Sequence, residues 1–318
     1  MKLCKVTSPG FFTTVQDSGR LGFQRYGVPV SGAMDGYAFT AANLLVGNKP
    51  NDACLEATLL GPELLFLSKT QVAVTGAAFS PTVNREAVAC WQTLQIRDGD
   101  LLSLGSPRNG CRAYLAMRGG IEVAMVLGSK STYVRGSFGG FQGRQLKTGD
   151  VLEVQEPAKP LARSYSMPPE LIPNYSGELT VEVTLGPQTR YFTDQGLETF
   201  LSSVYEVTSE SDRMGYRLDG AEVELKDALS MVSDAIVVGA VQVPRDGKPI
   251  ILMRDAQTTG GYPKIAVVTT PDISRLGQAK PNNKIRFAEV TPSKARDKLI
   301  EYRKSLSLLT NKFIESGL

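Results

Sequence analysis

Histidine is absent from all 318 residues, and that gap removes a large part of enzyme chemistry. A Ser-His-Asp triad, a Cys-His pair, a His-ligated zinc or iron site and a histidine proton shuttle all need an imidazole, so chemistry on this chain must use other groups. Cysteine is scarce. Cys4, Cys54, Cys90 and Cys111 all fall in the first half, with no C-x-x-C pair and no metal-ligand spacing. They read as reduced, mostly buried thiols, which predicts a reducing compartment and a cytoplasmic location, with no metal site. No apolar run approaches the roughly 18 residues of a membrane span. The start, Met1-Lys2-Leu3-Cys4-Lys5-Val6, passes straight into polar residues without a signal-peptide core. The expectation is a soluble protein with no membrane partner. Nor is one sign of charge in excess: 35 basic against 32 acidic residues leave +3, too balanced for a phosphate-backbone binder, so nucleic acid is set aside.

Several sequence motifs are missing as well. G-x-x-x-x-G-K-[ST], G-x-G-x-x-G and G-x-S-x-G do not occur, so no phosphate cradle, dinucleotide fold or nucleophile elbow is signalled. A nucleotide, if used, is expected on a partner. There is no Met-Lys-Met biotin attachment sequence, so biotin is not carried on this chain.

What is present reads as β structure. Short apolar or alternating runs at 64–67, 71–75, 93–96, 101–104, 113–117, 151–154, 179–185, 236–243, 250–253, 265–268 and 285–290 are separated by Gly, Pro, Asp and Asn. Asp35 is placed to cap a helix carrying Ala38, Phe39, Ala42 and Leu45 and ending at Gly47, and a second helix is expected over 194–201. Thr291 and Pro292 then open a C-terminal helix. Ala295, Leu299, Tyr302, Leu306, Leu309 and Phe313 form a single stripe along it, suited to the protein's own body or to a seam between protomers. Prolines cluster at Glu156-Pro157-Ala158-Lys159-Pro160 and Met167-Pro168-Pro169, which places a boundary around 158–175. Ordered self-similarity, such as Tyr114-Leu115-Ala116-Met117-Arg118 against Ile250-Ile251-Leu252-Met253-Arg254, suggests a duplicated β-barrel. The predicted organisation is mostly β: a first barrel domain over 1–165, a second over 166–290, and an amphipathic helix over 291–318.

Three polar segments interrupt this apolar pattern. In the first, Asp17 and Arg20 flank a glycine turn, as a fixed charge pair suited to a carboxylate or as a structural turn. It continues through Ser31-Gly32-Ala33-Met34-Asp35, where a helix start favours anions but a simple cap explains Asp35 equally well, and on to Asn43. The second, Ser211-Asp212-Arg213-Met214-Gly215, reads as buried ion pairing or ligand contact. The third, Asp255-Ala256-Gln257-Thr258-Thr259-Gly260-Gly261-Tyr262-Pro263, offers more hydrogen-bonding side chains than a turn requires, and suits a polarised carbonyl or carboxylate.

These segments, with Gly27-Val28-Pro29, Asn43-Leu44-Leu45-Val46-Gly47-Asn48 and Leu55-Glu56-Ala57-Thr58, resemble the biotin-dependent carboxyltransferase family of the allophanate hydrolase subunit 2 type, over about residues 5–290. The resemblance implies two cyclophilin-like β-barrels. It also implies two partners, one homologous and KipI-like, the other LamB/YcsF-like. The three would act together in ATP-dependent opening of 5-oxo-L-proline to L-glutamate, as a heteromeric 5-oxoprolinase with ATP bound by the complex or a partner. Other members imply two alternatives, a KipA-like antagonist of a sensor-kinase inhibitor and a protein that moves carboxyl from carboxybiotin to urea or another amide. By the same resemblance, Gln257, Thr258, Thr259, Gly260, Gly261 and Tyr262 would hold the lactam, with Ser31 and Asn43 in the binding surface. Arg213 or Arg20 would meet its carboxylate, and Asp17, Asp35 or Asp255 would position water or an N–H. Many relatives carry a histidine near Phe23-Gln24-Arg25; this chain has Arg25.

Overall fold

The computed structural model describes residues 1–155, 163–175, 177–226 and 231–315. The proline cluster expected to mark the boundary, 156–160, lies outside them. The chain divides into two compact units, one formed by 1–21, 31–175 and 305–318, the other by 22–30 and 176–304.

Unit 1 holds β1 (Lys2–Ser8), β2 (Phe12–Gln16), α1 (Gly36–Leu45), β3 (Cys54–Thr58), β4 (Glu63–Phe66), β5 (Thr70–Gly76), β6 (Thr82–Val83), β7 (Glu86–Ala87), β8 (Thr93–Ile96), β9 (Leu101–Ser103), β10 (Arg112–Met117) and β11 (Val151–Glu153). They form two sheets, ordered β11-β1-β4-β9-β6-β7 and β2-β3-β10-β5-β8. β10 shows how the layers stack. All six of its residues are buried, and successive side chains point to opposite faces. Ala113, Leu115 and Met117 join the core between the sheets, with Leu3, Val6, Leu64 and Leu102. Tyr114 and Ala116 join a second core beneath α1, with Phe39, Ala42 and Leu45. A strand covered on both faces reads as a continuous apolar run, which is how it stands in the sequence.

Unit 2 holds β12 (Glu178–Leu185), α2 (Asp194–Ser202), β13 (Tyr205–Val207), β14 (Gly215–Asp219), β15 (Asp234–Ala235), β16 (Ala240–Gln242), β17 (Ile250–Leu252), β18 (Thr259–Gly260), β19 (Lys264–Val268), α3 (Thr270–Leu276) and β20 (Lys284–Glu289). Seven strands close a barrel in the order β12-β19-β16-β17-β14-β13-β20, and β15 with β18 makes a separate ribbon. Closure comes from parallel pairing of β12 with β20, Leu179 opposite Ile285 and Val181 opposite Phe287. Along β12, Leu179, Val181 and Val183 are buried while Glu178 and Thr180 are exposed. Phe200 of α2 stacks on Phe287 at 4.4 Å.

The mostly β class, the barrel, the short helices and the C-terminal helix are as expected. α4 (Pro292–Glu315) begins where Thr291 accepts the Lys294 N–H at 3.3 Å. Its stripe faces inward: Leu309 and Phe313 are buried in the core under α1, where Phe313 lies 6.0 Å from Tyr165. The long strand expected over 236–243 is shorter. Gly239, at φ 88°, breaks the extended run just before β16. No helix among the described residues is long and apolar enough to cross a membrane.

Candidate functional site

In unit 1 the first polar segment builds a loop from both charges. β2 stops at Gln16, and the Asp17 carboxylate then accepts the Gly19 N–H at 2.8 Å, the Ser129 hydroxyl at 2.7 Å, the Lys130 N–H at 2.6 Å and the Ser131 hydroxyl. Arg20 is fully buried; it donates to the carbonyls of Val126 at 3.0 Å and Ser131 at 2.8 Å and lies over the Phe138 ring, 4.9 Å from its centroid. Acid and base therefore meet on one residue, Ser131, the acid on its hydroxyl and the base on its carbonyl. Gly139 makes this possible. At φ 72° it approaches so closely that a Cβ would stand 2.1 Å from the Ser131 carbonyl oxygen and 2.7 Å from Arg20 Nη2. A cleft of ≈ 720 Å³ opens beside the loop, lined by Asp17, Lys49, Asp52, Glu122 and Lys130. The Lys130 ammonium, 2.9 Å from Glu122, and the Gln155 amide hold the Glu122 carboxyl below the usual carboxylate range.

Asp35 caps α1. One carboxylate oxygen accepts the N–H groups of Tyr37 and Ala38, both at 3.1 Å, and the other accepts the Tyr175 hydroxyl at 2.7 Å. Its own N–H donates to the Tyr114 hydroxyl, which donates in turn to Glu56, both at 2.7 Å. Burial, reinforced by the charges of Glu56 and Asp35, pushes the Tyr114 phenol well above its ordinary value, so it stays a donor. Ser31 is fully buried at φ 54°, its hydroxyl without a hydrogen-bond partner among the described residues. Asn43 ties the end of α1 to the following loop, donating to the Asp52 carbonyl at 2.8 Å and accepting from Asn48 at 3.1 Å.

In unit 2, Arg213 precedes β14 and Asp255 follows β17. The two strands pair with Gly215 opposite Leu252, and the ladder continues outward, the Met253 N–H to the Met214 carbonyl at 2.9 Å and the Asp255 N–H to the Arg213 carbonyl at 2.8 Å. The side chains are thereby brought together as a buried, two-pronged pair with Nε–Oδ2 at 2.9 Å and Nη2–Oδ1 at 3.1 Å. Beyond Asp255 the chain surfaces. Gln257, Thr259, Gly261 and Tyr262 are exposed, and Thr258 and Gly260 are half-buried. The side chains of Gln257, Thr258 and Thr259 make no hydrogen bond to a described residue, unlike the three carboxylates and two arginines above. The segment is nonetheless held firmly: β18 pairs with β15, the Thr258 carbonyl accepts the Ile236 N–H at 2.9 Å, and buried Gln242 donates to the Tyr262 carbonyl at 3.0 Å. Asp234 on β15 is clamped by Lys264 at 2.6 Å and Gln188 at 2.8 Å, and the Lys264 ammonium lowers its pKa. Arg25 is exposed over the Tyr26 ring at 4.8 Å.

Sequence reasoning missed Ser129, Ser131, Tyr114, Glu56, Tyr175 and Gln242. A signal for two of them existed: Gly128-Ser129-Lys130-Ser131-Thr132 is as dense in hydroxyls and small residues as the segment at 255–263.

Residues 26–289 match the family model described as carboxyltransferase domain, subdomain A and B. The chain belongs to the carboxyltransferase domain family. Among its carboxyltransferase relatives, the C subunit of 5-oxoprolinase from Escherichia coli (strain K12) is 36% identical over 293 residues, covering 92% of this chain and 93% of that protein. Urea amidolyase of Lachancea kluyveri is 38% identical over 315 residues, but there the chain spans only 17% of the relative's length. The crystal structure of the K. lactis urea amidolyase superposes with a TM-score of 0.91 at 34% identity, covering 98% of this chain and 20% of that one.

Proposed function

We propose that this carboxyltransferase-family chain serves as the C subunit of a 5-oxoprolinase, working with one KipI-like and one LamB/YcsF-like partner to open 5-oxo-L-proline to L-glutamate with ATP. One observation carries the reading: the chain corresponds to a protein of that name along almost its entire length, 93%, whereas it spans a small part of urea amidolyase. In the reaction, water adds to the lactam carbonyl carbon, the ring C–N bond breaks, and the nitrogen leaves with a proton as the amine of glutamate. Negative charge gathers on the carbonyl oxygen, and fixed donors aimed at that oxygen lower the barrier most. Gln257, Thr258 and Thr259 have the required properties: uncommitted polar groups on a ribbon that its neighbours hold in place. ATP is assigned to the complex or a partner, and no step of this chain runs through it.

The roles given to the charged residues change in this reading. Both donors of Arg213 that face Asp255 are taken, Arg20 is spent on two carbonyls, and Asp17 and Asp35 are saturated by N–H and O–H donors. They position loops; the exposed segment touches substrate. Asn43 likewise braces α1.

The test is glutamate release from 5-oxo-L-proline and ATP by the three proteins together, each omitted in turn. Activity that requires this chain supports the assignment, and full activity in its absence overturns it. A second reading, carboxyl transfer to a small amide, draws on the 0.91 superposition with the urea amidolyase structure. Consumption of carboxybiotin in the presence of urea, with no glutamate formed by the three-protein mixture, would favour it.

A further inference from the structure

Unit 1 contains a cavity that the proposed reaction does not use. It measures ≈ 520 Å³ and is walled by Phe79, Val88, Trp91, Ile172 and Tyr175, the size and mostly apolar character of a small-molecule pocket. Two observations indicate what it accepts. Among the described residues that line it, Arg108 is the only charged side chain; it is exposed and forms no ion pair with a described residue. Trp91, although 5% exposed, holds a left-handed φ of 60°, a conformation rare and costly for a bulky aromatic and typical of residues fixed for a purpose. Its backbone is clamped on both sides, the N–H by the Val74 carbonyl at 2.7 Å and the carbonyl by the Met167 N–H at 2.8 Å. The indole N–H has no acceptor among the described residues and is not sealed from solvent, so it can donate to a ligand in the cavity.

We propose that this cavity binds a small monocarboxylate with an aromatic or branched apolar body, its carboxylate held by Arg108 and the Trp91 indole N–H, its body against Phe79, Val88 and Ile172. A mostly apolar wall with one cation and no acid among its described residues suits an amphipathic anion and disfavours a cation or a fully polar ligand. Cys90 also lines the cavity, but burial pushes its thiol up to about 11, so binding there is non-covalent at neutral pH.

Trp91 is the only tryptophan in the chain, so fluorescence excited selectively at tryptophan, beyond the absorption of the 11 tyrosines, reports on this cavity. The full chain is titrated with phenylacetate and with its neutral isostere phenylacetamide, followed by fluorescence and by calorimetry in parallel. Phenylacetate is expected to bind saturably, and at least about tenfold more tightly than the amide, the size of effect that a charge-assisted contact supplies. Arg108→Gln, at an exposed position, should keep the melting temperature and abolish that preference, while Arg108→Lys keeps part of it. Absence of saturable binding by both methods up to about 20 mM, a concentration well above weak-ligand Kd values, overturns the inference. So does equal binding of acid and amide, or an unchanged preference in Arg108→Gln.

Discussion

Arg213 and Asp255 meet as a two-pronged buried pair because β14 and β17 are hydrogen-bonded neighbours whose ladder extends past both strand ends. The Asp255 carboxylate has no other side-chain donor among the described residues, so that guanidinium is its one charged partner there. Arg213→Ala strands a buried carboxylate and should destabilise the chain by about 3–5 kcal/mol. The double variant Arg213→Met/Asp255→Leu should regain most of that loss. Urea midpoints of the three proteins check both statements.

A different outcome is expected one turn further along, where the ribbon is exposed. Gln257→Ala and Thr259→Ala remove exposed side chains with no hydrogen-bond partner among the described residues, so stability should stay within about 0.5 kcal/mol of the parent. Turnover of 5-oxo-L-proline by the reconstituted complex should fall by about 10²–10³ for a lost oxyanion donor. Parallel measurement of melting temperature and kcat separates the site from the scaffold; unchanged turnover would remove these residues from the reaction.

Gly139 is constrained twice, by its left-handed φ and by Ser131 and Arg20 lying within van der Waals reach of any Cβ. Gly139→Ala should therefore lower stability by more than the roughly 1 kcal/mol of an ordinary positive-φ substitution. The loop that carries Asp17 should lose order with it. Thermal melting and hydrogen exchange at Lys130 and Ser131 N–H test this.

Alkaline pH should destabilise the fold through its buried thiols. Burial raises Cys4 from 9.0 to about 12 and Cys90 to about 11. The unfolded chain sheds those protons near pH 9 while the folded chain keeps them, so stability that is complete below pH 9 declines as pH rises toward 12. Cys4→Ala should make the decline shallower in urea midpoints taken from pH 8 to 11. For the same reason, native protein should resist thiol reagents at pH 8 and react at all four cysteines once unfolded.

How much of this was legible in the sequence depended on range. α4 was plain because Leu299, Tyr302, Leu306, Leu309 and Phe313 repeat at helical spacing, and α1 because Asp35 precedes an apolar stretch. α3 was not seen: seven residues carry too little period, and its start is secured by a distant contact, Asp272 accepting the Glu182 N–H at 2.7 Å. The run at 236–243 was apolar enough for one strand, and only the backbone at Gly239 shows that it is not. Arg213 and Asp255 each stood out as charges in an apolar setting, yet their pairing depends on strand register. Ser131 was invisible as a partner of Asp17 because nothing local links two residues so far apart in the chain.

The barrel is sealed by its first strand lying against its last. β12 and β20 are separated by almost the entire length of unit 2, and their pairing cannot form until residues 284–289 have been synthesised. During synthesis, residues 178–185 leave the ribosome long before 284–289 exist, so β12 presents an unpaired edge throughout that interval. Long-range closure of this kind is slow and leaves apolar strand edges open to wrong partners. The outward-facing Glu178 and Glu182 on β12, and Lys284 and Arg286 on β20, give the waiting edges opposite charge, which favours the right neighbour over a second copy of the same strand.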